Sequence, residues 1–384
     1  MSRVVVLDCA EYSVPVIKER LNAGIELLGG WGSFVSAGMK VLLKVNLIGP
    51  KAPETGAITH PEFVRALVQI LRDLGCVVWI GDSSGGAIGG IAPTGKSFAV
   101  SGLARVAQEE GVIIKNFDKE GAVGIKPASG CVEKMYLAKP MFEADLVINL
   151  PKQKTHSAAI YTGAVKNLFG CIPGLRKAEY HRLAPRQEEL GEVICDIHQA
   201  VPVGLHIMDG ILAMQGEGPT AGEVYRGEKI IMGTDPLALD TVAAAMLALK
   251  VEEVPILATA RERKLGVAEL AKIEIVGDYD TPPRYPAFKL PRRYRRAAQT
   301  NTAFLRRVIA FFKTRPRINK KLCRDCNMCV ESCPVQAIDR EGKLIDYDTC
   351  IECMCCHELC QYEAVELKRE NPLAALLTRI YGYH

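Results

Sequence analysis

The sequence predicts an α/β fold, a mainly parallel sheet flanked by helices, followed by a small α+β domain. Three observations carry this. Over the first 280 residues, short Val/Ile/Leu runs bounded by Gly, Pro, Asn or Asp alternate with amphipathic stretches, as buried parallel strands joined by helices do. A basic stretch punctuated by prolines then breaks the alternation. Beyond it, nine of the fourteen cysteines crowd between positions 323 and 360. A chain of 384 residues accommodates two or three domains at about 100–200 residues each.

In chain order, residues 4–7, 41–47, 77–80, 112–114 and 146–150 read as buried strands. Helical patterns at 61–74 and 97–110 separate several of them, the first starting at His60-Pro61 with proline at the first helical position. Strands follow at 204–208 and 229–232. A helix at 236–249 has Asp235 as its N-cap, and 273–276 is a last strand. This gives an α/β domain over 1–280, a basic linker over 281–317, a cysteine-rich domain over 318–370 and a tail over 371–384.

Charge is unevenly placed. Residues 284–321 hold 13 Lys/Arg and no Asp/Glu, leaving 35 basic against 44 acidic residues elsewhere, a net of −9. Within the linker, Phe304, Leu305, Val308, Ile309, Phe311 and Phe312 recur at helical spacing, with Arg306, Arg307 and Lys313 largely opposite. Such a helix is expected to dock on the acidic main domain or the cysteine-rich domain. Peripheral membrane contact through 303–313 is the less favoured reading. No module accompanies the basic run that would make it a nucleic-acid binder. No apolar run reaches the roughly 18 residues of a transmembrane span. The first residues carry no signal-peptide pattern, so a cytoplasmic location is expected.

Cys323, Cys326, Cys329 and Cys333 read C-x2-C-x2-C-x3-C, followed by Pro334, and Cys350, Cys353, Cys356 and Cys360 repeat the spacing 27 residues on. Two such runs match the ligand pattern of a two-cluster bacterial ferredoxin, in which the fourth cysteine of each run serves the other cluster. The expected cofactors are therefore two [4Fe–4S] clusters in a ferredoxin-like domain. The first would use Cys323, Cys326, Cys329 and Cys360, and the second Cys350, Cys353, Cys356 and Cys333. Zinc sites are usually built from separated Cys pairs and fit this pattern badly. Gln361 stands where a second proline is expected, and Cys355 is a ninth thiol, read as a spare or as a replacement for a neighbouring ligand in an alternative register. The remaining cysteines (Cys9, Cys76, Cys131, Cys171, Cys195) read as small buried apolar residues.

Open α/β sheets bind ligands beyond the carboxyl ends of their strands. Gly81-Asp82-Ser83-Ser84-Gly85-Gly86 follows one strand, and Asn149 to His156 follows another with two lysines, a threonine and a histidine in five residues. Thr162 to Gly170 comes next. If 157–169 is helical, Thr162, Lys166 and Phe169 share a face. Lys44 and Asn46, and Asp209, stand at further junctions. Such groups hold a carboxylate or phosphate by charge-assisted hydrogen bonds. The candidate binding residues are Lys44, Asn46, Asp82, Ser83, Lys152, Lys154, Thr162, Asn167 and Asp209, with His156 and Lys166 as candidate catalytic residues.

These motifs, together with Met208-Asp209-Gly210, Gly216-x-Gly218-Pro219 and Asp235-Pro236-x-Ala238-x-Asp240, resemble domain-of-unknown-function family 362 over roughly 4–280, with the ferredoxin resemblance over 318–368. The resemblance implies a pocket at the Lys/His/Asn motifs and an iron–sulfur protein, without a reaction. An iron–sulfur oxidoreductase is expected, with a soluble redox donor or acceptor and an anionic small-molecule ligand. A carrier or cluster-assembly protein, and a ligand-binding protein with structural or sensory clusters, stay open beside it.

Overall fold

The computed structural model describes residues 2–85, 92–174, 176–184, 186–292, 314–360 and 362–369. The strands are β1 Ser2–Asp8, β2 Lys40–Lys44, β3 Val77–Asp82, β4 Ile113–Asn116, β5 Ala122–Ile125, β6 Met135–Ala138, β7 Leu146–Asn149, β8 Lys152–His156, β9 Ile160–Thr162, β10 Val203–Gln215, β11 Glu223–Gly233, β12 Ile273–Gly277, β13 Thr314–Ile318 and β14 Val365–Arg369. A ten-stranded sheet has the order β12-β1-β11-β10-β7-β2-β3-β4, with β8 beside β10 and β9 beside β8. Only β11 and β9 run against the rest. The sheet is thus mainly parallel, as the alternation of apolar runs and helices predicts.

Strand residues alternate between two cores. Val41 and Leu43 of β2 pack with helices Val14–Leu27 and Pro61–Asp73, and Leu42 packs with helices Gln187–Ala200 and Pro236–Met246 on the other face. Burial on both faces explains why these strands read as unbroken apolar runs.

Several expected elements differ. β2 ends at Lys44, not at 47, because side chains take the next backbone donors: Asn46 N donates to Thr59 Oγ1 at 2.9 Å and Leu47 N to Asp82 Oδ2 at 2.7 Å. The helix expected over 97–110 is two, Thr94–Val100 and Leu103–Glu110, separated at Gly102, whose φ of +80° favours glycine. The conditional helix over 157–169 is instead the end of a β8–β9 hairpin followed by a single turn, Ala164–Asn167. Between the two cysteine runs, Ile338 and Ile345 form one isolated antiparallel bridge.

Residues 281–292 lie on the α/β unit: Tyr285 N donates to Met246 O at 3.0 Å, and Tyr285 OH to Gln153 Oε1 at 2.8 Å. β13 pairs antiparallel with β14, enclosing the cysteine-rich unit. The amphipathic stretch at 303–313 and Gln361 lie outside the described residues. Among the described residues no helix is long and apolar enough to cross a membrane.

Candidate functional site

The carboxyl ends of β2, β3 and β7 stand side by side and deliver polar residues to one place. Lys44 Nζ meets Asp82 Oδ1 at 2.8 Å, with both side chains at most 2% exposed. Asp82 also accepts from Leu47 N and from Ser83 N (2.9 Å). Burial pushes the Asp82 carboxyl up from its ordinary value, and Lys44 opposes that shift most strongly. Asn167 ties the strand ends together: its Oδ1 accepts from Asn46 Nδ2 at 2.8 Å, and its Nδ2 donates to Asn149 Oδ1 at 2.7 Å. Asp240 holds the turn that carries Lys166 and Asn167, accepting from Ala164 N at 2.7 Å and Val165 N at 2.9 Å.

The ion pair leaves no room beside it. A Cβ added at Gly170 would fall inside contact distance of Asp82 Oδ1 and Lys44 Nζ. Gly170→Ala is expected to cost about 1–3 kcal/mol of stability, the usual range for overpacking a filled site. Chemical denaturation checks this, and an unchanged midpoint would contradict the packing described.

β8 places Lys152, Lys154 and His156 on one face of a wholly buried strand. Their partners divide them. Lys152 Nζ pairs with Asp209 Oδ2 at 2.8 Å and donates to Tyr12 OH at 2.8 Å, with lysine and aspartate fully buried. Lys154 Nζ donates to Asn46 Oδ1 at 2.8 Å and Ala57 O at 2.6 Å. His156 Nδ1 accepts from Ala158 N and Ala159 N at 3.2 and 3.0 Å, which assigns its proton to Nε2. Burial, then Lys166 and Lys154, holds His156 well below its ordinary range. At neutral pH it is a neutral hydrogen-bond donor without an imidazolium proton to give.

Beside these residues opens a cavity of about 860 Å³, counting the solvent at its mouth. Lys44, Asn46, Asp82, Ser83, Lys154, His156, Thr162, Lys166 and Asn167 face it. Lys152 and Asp209 are not brought into it; they form a separate ion pair at the β8–β10 contact. Thr162, Lys166 and Phe169 do meet there, through the hairpin and turn and not through a shared helix face.

Sequence reasoning missed Lys177 and His181, on helix Arg176–Leu183, whose polar composition carries no signal of an inward face. Lys177 Nζ donates to Ser83 Oγ at 2.5 Å and Ile172 O at 2.7 Å. Burial pulls its ammonium down to about 8, against the opposing effects of Asp118 and Asp82. Charge on Lys177 is therefore lost as pH rises through about 8. Sulfate does not titrate in this range, so its affinity is expected to fall between pH 7 and 9 in calorimetric titrations. Lys177→Arg should flatten the profile, and a flat wild-type profile would contradict this role.

The cysteine-rich unit closes one side of the cavity with Ser332, Cys355 and Leu359. It packs closely there: a Cβ added at Gly85 would sit 2.7 Å from Leu359 Cδ2. Lys51 Nζ reaches Glu363 Oε1 at 3.9 Å across the same contact.

Inside the unit, Cys333, Cys350, Cys353 and Cys356 line one small, largely apolar void. Cys329 has Cys360, Cys326 and Cys323, the other expected set, as neighbours. Ala337 N donates to Cys333 Sγ and Ala364 N to Cys360 Sγ, both at 3.2 Å. Backbone donors of this kind fit thiolate ligands and tune a cluster's potential. Among the described residues no group of three or more His, Cys, Asp or Glu could hold a single metal ion. Four cysteines of one expected set around one void supply the thiolates that an iron–sulfur cluster takes as ligands. All fourteen cysteines are free of disulfides.

A family described only as a domain of unknown function, DUF362, matches residues 41–245, and a 4Fe-4S binding domain matches 316–339, which covers the first cysteine run alone. A Synechocystis protein described as thylakoid-associated is 34% identical over 266 residues, spanning 69% of this chain and 79% of that one. Among solved structures, the lactate racemase apoprotein from Thermoanaerobacterium thermosaccharolyticum is 12% identical with a TM-score of 0.40, covering 66% of this chain and 58% of that one. A Thermotoga maritima protein from a structural genomics consortium is 13% identical with a TM-score of 0.36, covering 60% and 57%. The chain spans less than two thirds of either solved structure.

Proposed function

As the chain belongs to the DUF362 family and carries a 4Fe-4S binding domain, we propose that it is an oxidoreductase in which two [4Fe–4S] clusters exchange electrons with an anionic small molecule held in the cavity. One observation carries this reading: a cavity is walled on one side by Lys44, Lys154, Lys166 and Lys177, with Asp82 the one carboxylate among its described lining residues, and on the other by the cluster-bearing unit. Lysines gathered beyond strand ends, in a site partly shielded from water, favour a carboxylate or phosphate. Neutral His156 and the Thr162 hydroxyl would orient the ligand. A fixed contact between the two units keeps ligand and clusters together at high effective concentration.

A soluble redox partner would supply or accept the electrons. Cysteines crowded into two cluster-type runs suit a reducing compartment, so we propose a cytoplasmic location.

The experiment is native mass spectrometry of anaerobically purified protein, paired with Lys154→Ala/Lys166→Ala. Wild type should retain a small anionic ligand beside its clusters. The double variant should lose the ligand, and its sulfate affinity should drop about a hundredfold or more, at about 1.5–3 kcal/mol per charged hydrogen bond. Its cluster spectrum should be unchanged. A double variant that binds sulfate normally would overturn the site.

A further inference from the structure

The two cavities share a wall. Cys355 lines the anion cavity and also the void ringed by Cys333, Cys350, Cys353 and Cys356. It is 6% exposed. Local geometry explains how one residue serves both. Cys355 and Leu359 lie at i and i+4 on the one-turn helix Cys355–Leu359, and both face the anion cavity, while the intervening Cys356 faces the void. The same division occurs in the first cysteine run, where Ser332 lines the cavity and the next residue, Cys333, lines the void. Among the described residues, the cavity is approached around the other cysteine set by Leu359, the neighbour of Cys360. Cys323, Cys326 and Cys329 are not in its wall.

We propose that the cluster held by Cys350, Cys353, Cys356 and Cys333 is the one next to the ligand, and that Cys355 is the partition between them. The ninth thiol is then neither a spare ligand nor filler. It is a small, polarizable side chain that excludes water from the gap between cluster and anion. This rests on the oxidoreductase reading for the identity of the cavity's occupant, but the shared wall itself does not depend on it.

Reduction adds negative charge to a cluster, so a neighbouring anion must bind the reduced protein less tightly, and by linkage the anion must lower that cluster's potential. The test uses the full chain assembled anaerobically with its clusters, and sodium sulfate as the probe. Cys323→Ser and Cys350→Ser change one ligand of each cluster conservatively and so assign the two signals in a potentiometric spin-resonance titration. Sulfate should bind the reduced form about tenfold more weakly, which lowers the potential of the Cys350-marked cluster by about 59 mV for a one-electron couple. The Cys323-marked cluster should move by less than half as much.

A second arm needs no ligand. Cys355→Ala opens the partition to water, which stabilises the more charged reduced state, so the potential of the Cys350-marked cluster alone should rise. Cys355→Ser, nearly isosteric, serves if the alanine variant loads poorly. A larger sulfate effect on the Cys323-marked cluster, equal shifts of both clusters in the Cys355 variants, or loss of iron from both variants would overturn the proposal. Absence of any sulfate binding by calorimetry would instead defeat the anion reading, while the Cys355 arm would still decide the shared wall.

Discussion

Asp209→Ala lowers stability by about 3–5 kcal/mol, the cost of leaving a buried charge without its partner. Asp209 and Lys152 are both fully buried and meet at 2.8 Å. The carboxylate also accepts from Tyr12 OH at 2.7 Å, His60 N at 3.0 Å and Ile211 N at 3.3 Å. Its removal strands the ammonium and several donors together. Lys152→Met should cost less, since those three donors still serve the carboxylate. Replacing both partners by apolar residues should recover part of the loss but not all, because Tyr12 and His60 N keep no acceptor. Urea denaturation of the three variants checks this order. Since neither residue lines the cavity, folded Lys152→Met should bind sulfate as wild type does. A loss of binding would return Lys152 to the ligand site.

Cys353→Ala is the second large effect. Cys353 lines the void with Cys333, Cys350 and Cys356. Two clusters carry about eight irons and eight sulfides, and loss of one ligand should bring both counts to about four. Cys355→Ala, its near neighbour, should keep about eight. Anaerobic iron and sulfide analysis separates the cases. About one zinc and no sulfide in wild type would end the cluster assignment. About four irons in wild type would leave a single cluster, in the run that the 4Fe-4S domain matches at 316–339.

The parallel sheet was legible because strands buried on both faces must be apolar throughout, as Val41, Leu42 and Leu43 are. β8 was not, because Lys-Gln-Lys-Thr-His carries no apolar residue; its lysines are matched by partners distant in sequence, Asp209 for Lys152 and Asn46 for Lys154. Nine of the eleven expected residues of the α/β unit face one cavity beyond the strand ends. Which lysines face it follows from ion pairs formed across the fold. Lys177 could not have been chosen from its own helix, since its partners Ser83 and Ile172 come from two other segments. Cys355 stood out only as one cysteine too many; its place in two cavity walls depends on how the cluster unit docks.

On the proposed reading, the cavity binds an anion whose affinity is tied to the charge on the clusters. Calorimetric titration of sulfate into the holoprotein, once oxidised and once reduced in the same buffer, tests it most directly. Binding is expected in both states, about tenfold weaker after reduction, as an added negative charge nearby requires. Equal affinity in the two states, or no binding in either, would contradict it.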